Sequence, residues 1–101
     1  MATDLPLACS LDEADLAARG AEIREVGRAA LLGAEAENAR AVLRFRPQSR
    51  ERVAAIVAKE AACCAFLSMR LDEGPEALRL TIEAPPGGEP VMHELVAAFR
   101  G

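Results

Sequence analysis

The sequence predicts an α+β fold, a two-layer sandwich in which helices cover one face of a largely antiparallel sheet. Three observations carry the expectation. Apolar residues recur at helical spacing in two stretches, 53–67 and 92–99. Three other stretches, 40–46, 67–71 and 78–83, alternate between apolar and polar residues as half-buried strands do. The polar positions in those strands are mostly Arg, Ser, Thr and Glu, so one sheet face is wet and the other must lie on helices. The expected order is (β)αβαββα, with three or four strands in a single domain over residues 1–101, a length that supports one core without staples.

Leu5, Leu7 and Cys9 supply the bracketed first strand, which Pro6 pushes to an edge. Ser10-Leu11-Asp12-Glu13 fits a capping box, in which Ser10 and Glu13 satisfy each other's orphan amides, so a helix starts at Leu11. Leu16, Gly20, Ile23, Gly27 and Ala30 follow at four-three-four-three spacing, with Val26 and Leu31 beside them. Each glycine on that stripe costs about 1 kcal/mol of helix propensity relative to Ala, which calls for close approach of another backbone or a kink. Gly33, Glu35, Glu37 and Asn38 read as the end of this helix. A strand runs from Arg40 to Arg46 and stops at Pro47.

Ser49 caps the second helix, whose stripe is Val53, Ile56, Val57, Cys64 and Leu67. Leu67, Met69 and Leu71 then alternate with Ser68 and Arg70. After the turn Asp72-Glu73-Gly74-Pro75, Leu78, Leu80 and Ile82 alternate with Arg79, Thr81 and Glu83, which makes the clearest hairpin in the chain. Pro85-Pro86-Gly87-Gly88 is a loop. Pro90 suits the first turn of a last helix with Met92, Leu95, Val96 and Phe99 on its buried face.

With Leu5 to Cys9 as a strand, the order also equals that of a thioredoxin core, and Cys9 would stand at a helix N-terminus, where a reactive thiol belongs. Sheets of that kind are covered on both faces, however, and Cys9 lacks a second cysteine at C-x-x-C spacing. A thioredoxin-like fold is therefore the alternative to the two-layer sandwich.

Twelve Lys and Arg against sixteen Asp and Glu leave a formal charge of -4, which argues against a nucleic-acid groove or an anionic membrane surface. No basic leader precedes an apolar run, and no apolar run reaches the roughly 18 residues of a membrane span. A cytoplasmic location is expected. Three cysteines cannot all pair within one chain, and a domain with this much core has no need of a disulfide framework, so reduced thiols are expected.

The chemistry concentrates at Lys59 to Leu71, KEAACCAFLSMRL. Glu60 falls on the apolar stripe of the second helix, one turn before Cys63 and Cys64. It is either paired with an arginine or turned to water, or else a ligand or proton acceptor beside the thiols. Adjacent cysteines rarely bond to each other, because consecutive Cα atoms are about 3.8 Å apart whereas disulfides want at least about 4.4 Å. Cys63 and Cys64 read as a dithiol, or as two small apolar residues filling a helix end. A soft ion that displaces the protons would find thiolate ligands that select Cu(I), Zn or Hg(II). Cys9 is a third candidate. His93 points away from the stripe of the last helix and reads as exposed and idle. Arg44, Arg46, Arg70 and Arg79 share the wet sheet face, a solvated surface first and a homodimer interface or anion site second. No phosphate loop, H-E-x-x-H, nucleophile elbow or carboxylate pair is present, so a catalytic role is not expected.

The run E-A-A-C-C-A-F-L at Glu60 to Leu67, the hairpin after it, L-R-L-T-I-E-A-P at Leu78 to Pro85 and A-C-S-L at Ala8 to Leu11 resemble a family of small bacterial proteins with a signature close to E-x-x-C-C-P-F-L. Some members lie beside mercury- or other heavy-metal-resistance genes. Ala65 stands where that family often has Pro. The resemblance implies handling of a soft metal by Cys63, Cys64 and Cys9 with Glu60 nearby. The expected function is thus a cytoplasmic, non-catalytic thiol protein that binds or passes on a soft metal or metalloid of the Hg(II) kind. The alternatives are a small interaction or regulatory domain with structural cysteines, and a thioredoxin-like oxidoreductase.

Overall fold

The structure, a computed structural model, describes the backbone of residues 13–101 and the side chains of 17–62 and 64–101. The expected first strand at Leu5 to Cys9 and the Ser10 cap lie outside the described residues. Helix α1, Glu13–Ala30, runs without an intervening residue into strand β1, Leu31–Glu37. Strand β2, Arg40–Phe45, follows a tight turn, and a short 3-10 turn at Pro47–Ser49 leads into helix α2, Arg50–Cys63. Strands β3, Ser68–Glu73, and β4, Leu78–Glu83, form the expected hairpin, and helix α3, Glu89–Arg100, closes the order. The described order is αββαββα, with every strand pair antiparallel and the sheet ordered β1-β2-β4-β3.

Strand β1 corrects the reading of residues 31–37 as a helix end. Its Asn38-Ala39 turn holds Asn38 at φ 47, a left-handed conformation that asparagine adopts more readily than most residues. Leu31 pairs with Phe45 and Gly33 with Arg44, so Leu32 is the extra residue of a β-bulge and stands half exposed at the free edge. The second helix also ends earlier than expected, at Cys63 instead of near Leu67. Ser49 precedes it but does not cap with its side chain; its hydroxyl donates to the carbonyl of Arg46 at 2.7 Å.

The alternation within each strand is realised as two unlike sheet faces. Ala41, Leu43, Phe45, Leu78, Leu80 and Ile82 are buried with Ile23, Val26, Val53, Ile56, Met92, Val96 and Phe99 of the helices. Phe45 and Phe99 meet edge to face, their rings 5.2 Å apart. On the opposite face Arg70, Asp72, Arg79 and Glu83 are exposed, as is Arg46, while Arg44 is half buried. An antiparallel sheet with one solvated face is the two-layer arrangement, not the doubly covered one.

Of the two glycines on the α1 stripe, only Gly27 answers the expectation of close backbone approach. A Cβ placed there would sit 1.7 Å from the carbonyl oxygen of Phe99 in α3, whereas at Gly20 it would meet only the guanidinium of Arg24, at 3.4 Å. Gly27 thus sets how near α1 and α3 can lie. Two side chains of α3 also hold the first hairpin. His93 Nε2 is 3.0 Å from the carbonyl oxygen of Asn38, and Arg100 Nη2 donates to that of Ala34 at 3.0 Å. His93 is exposed as expected but not idle.

Candidate functional site: a cysteine cleft between three helices

Helical geometry brings the site together. Residues 60 and 64 are four apart, so Glu60 in the last turn of α2 and Cys64 just beyond it share one side of the helix. The amide of Cys64 still donates to the carbonyl of Glu60, at 2.6 Å, before the backbone leaves the helix at φ -118 and ψ 68. A second turn, from the Leu67 amide to the Cys64 carbonyl at 3.0 Å, carries the chain toward β3. Cys64 is therefore pinned at a helix end by backbone bonds on both of its sides.

Glu60 is buried and paired. Nη1 of Arg19, from α1, donates to its Oε2 at 2.9 Å, and the side chains of Arg19 and Glu60 are only 16% and 9% exposed. Of the readings open for Glu60, the paired carboxylate is the one observed. The low-dielectric surroundings strengthen such a pair, and removal of either member leaves the other poorly solvated. The second oxygen, Oε1, faces the Cys64 sulfur at 4.0 Å.

Cys64 itself is 1% exposed and counts among the core residues. Its sulfur is disulfide-bonded, which corrects the expectation that all the thiols are reduced. In that state Cys64 has no proton to offer, so the approach of Sγ to Oε1 is a contact without a hydrogen bond; reduction would turn it into a thiol-to-carboxylate bond. The side chains of the other two cysteines, Cys9 and Cys63, lie outside the described residues.

These groups line a cleft of about 140 Å³. Arg19, Gly20 and Ile23 of α1 form one wall, Val91, Glu94, Leu95 and Ala98 of α3 the other, and Glu60, Cys64 and Leu67 complete it. His93 is not among them. A larger hollow of about 760 Å³ runs along β1 and β2 past Glu35, Glu37, Arg40 and Arg100, but it is open and carries no sulfur. Among the described residues no group of three His, Cys, Asp or Glu side chains converges as a metal site. Glu60 and Cys64 are thus brought together as expected.

Arg19 was not legible as a member of the site. The available signal was weak: it lies one turn after Leu16 and next to Gly20, at the border of the α1 stripe. The α3 wall left no signal at all, because Leu95 read as an ordinary core position and Val91, Glu94 and Ala98 stood out in no pattern.

No family model, curated protein or solved structure matches the chain. The site therefore defines the protein by class alone, as an α+β domain with a sulfur-bearing cleft between its helices. Among the described residues no helix is long and apolar enough to cross a membrane.

Proposed function

We propose that the chain is a non-catalytic, cytoplasmic thiol protein that binds or passes on a soft metal or metalloid such as Hg(II). One observation carries the reading: Cys64 lines a cleft, and its sulfur is bonded to another sulfur and faces a buried carboxylate at 4.0 Å. A disulfide means that reduction releases two neighbouring thiols, which together can offer a soft ion thiolate ligands. Cys63 and Cys9 are the candidates for the second thiolate, and either could add a third. Glu60 accepts a proton as the metal displaces it from sulfur, while Arg19 holds the carboxylate in place. The resemblance of Glu60 to Leu67 to the E-x-x-C-C-P-F-L proteins, some found beside mercury-resistance genes, points the same way. A reducing compartment would keep the pair open for metal.

The test exploits a chain without Trp or Tyr, whose near-ultraviolet region is almost empty. Reduced protein and the variants Cys64→Ser, Cys63→Ser and Cys9→Ser are titrated with Hg(II), Zn(II) and arsenite. The expected result is a saturable thiolate-to-metal charge-transfer band that Cys64→Ser abolishes. Absence of a band, or equal uptake by Cys64→Ser, would refute the reading.

The burial of Cys64 favours a second reading, an interaction domain whose cysteines only pack. The rate of thiol modification in the native, reduced protein separates the two. A metal site reacts fast, and a packing residue reacts only as fast as the protein unfolds.

A further inference from the structure

Strand β1 leaves one edge of the sheet open. The two-residue turn Asn38-Ala39 makes Glu37 and Arg40 the hydrogen-bonded pair that closes the first hairpin. Bonded pairs alternate along an antiparallel ladder, so Glu35 and Gly33 also bond to β2, whereas the amides and carbonyls of Ala34 and Ala36 point to the free edge. The Arg100 guanidinium on the Ala34 carbonyl, at 3.0 Å, marks that direction. Leu32, the only large apolar side chain exposed among the described residues, stands on the same edge.

The charges beside this edge lack partners within the chain. Among the described residues Glu35 is exposed and meets no cation, and Arg44 on β2 meets no carboxylate. The Arg44 guanidinium lies across Gly33: a Cβ on that glycine would sit 2.6 Å from Nη2 and 3.4 Å from Cζ. The bare glycine thus lets a cation of β2 reach over β1 toward its open side.

We propose that β1 is where a second copy of the chain docks, the two β1 strands pairing antiparallel about a twofold axis at Ala34. That register sets Ala34 against Ala34 of the other copy, with each amide donating to the opposite carbonyl, and sets Glu35 against Gly33. Opposed residues of an antiparallel pair project to the same face with Cβ atoms about 4.5–5.5 Å apart. Each Glu35 carboxylate therefore reaches the Arg44 guanidinium that covers the other copy's Gly33, and symmetry forms the ion pair twice. Charge selects this register among those that keep the two sheets face to like face. An axis at Glu35 sets that carboxylate against itself, one at Ala36 sets Glu35 against Glu37, and one at Gly33 brings two Arg44 groups together. Two four-stranded sheets then become one continuous sheet with all helices on one side. Arg100 competes for the Ala34 carbonyl, which keeps the pairing weak and reversible.

Sedimentation equilibrium of the full chain over a range of concentrations measures the pairing, with non-reducing electrophoresis to identify any disulfide-linked species. A non-covalent dimer is expected. Glu35→Arg and Arg44→Glu each turn both ion pairs into like-charge contacts and should weaken it by at least about 10-fold, with circular dichroism confirming the fold. An equimolar mixture of the two variants restores both ion pairs with the charges exchanged and should dimerise about as tightly as the parent chain, which two merely destabilised monomers could not do. Hydrogen exchange by nuclear magnetic resonance locates the contact: raising the concentration should slow exchange at the Ala34 amide and leave the amides of edge strand β3 unchanged. A monomer at every concentration, a dimer held only by a disulfide, a dimer indifferent to Glu35→Arg, a mixture no tighter than either variant alone, or protection at β3 in place of Ala34 would each overturn the proposal.

Discussion

Gly27 gives a sharp test of how the helices are seated, because the structure fixes both sign and size of the effect. In Gly27→Ala the new methyl would begin 1.7 Å from the Phe99 carbonyl oxygen and 2.6 Å from its carbon. Non-bonded carbon contacts are comfortable near 3.5 Å, so α3 must retreat by roughly 2 Å, and what moves is backbone, not a flexible tip. Overpacking of this kind costs about 1–3 kcal/mol, and a forced backbone shift belongs at the upper end. Alanine recovers about 1 kcal/mol of helix propensity, which leaves a net loss of about 2 kcal/mol. For a domain of this size that is a fall in Tm of about 8–16 °C. Gly20→Ala, on the same helix and stripe, meets only the Arg24 guanidinium at 3.4 Å and should gain up to about 1 kcal/mol. Thermal and urea unfolding followed by far-ultraviolet circular dichroism measure both. If Gly27→Ala proved as stable as Gly20→Ala, the close contact of α1 with the end of α3 would be wrong.

Three other side-chain contacts carry expectations of their own. Glu60→Leu strands Arg19 without its partner and should lower stability by about 2 kcal/mol, and adding Arg19→Met should restore most of the loss; additive effects in urea unfolding would show that the two are not coupled. His93→Ala removes the bond to the Asn38 carbonyl, at a cost of about 0.5–1 kcal/mol, and should speed hydrogen exchange at the Asn38-Ala39 turn; unchanged exchange there would contradict the link. Arg100→Ala frees the Ala34 carbonyl on edge strand β1, so sedimentation at high concentration should show more self-association than in the parent chain, and equal sedimentation would deny Arg100 a guarding role.

The legible part of the fold is the part where side-chain chemistry and local geometry agree. Leucine and isoleucine alternating with polar residues around Gly74-Pro75 announced the β3–β4 hairpin, and Met92, Leu95, Val96 and Phe99 announced the buried face of α3. Strand β1 was hidden because LLGAEAE is built from Ala, Glu and Gly, residues that strands disfavour, two of which helices welcome. Only pairing with β2 makes it a strand. At the site, the position of Glu60 on an apolar stripe called for an explanation, and Arg19 provides it. The bond from His93 spans 55 residues to a backbone carbonyl, which no side-chain pattern encodes. The Cys64 disulfide contradicted an argument from core size, because a chain that needs no staple can still carry one.

The direct passage of α1 into β1 works like a reading frame. An inserted residue before Leu31 would swing the downstream chain by about 100° if it extended the helix, and would exchange the two faces of β1 if it extended the strand. Ala34 and Ala36 would then trade places with Glu35 and Glu37, turning carboxylates toward the core. Homologous chains are therefore expected to vary in length at 85–88, where prolines and glycines already bend the backbone, and to keep the count from Gly27 to Glu37 unchanged.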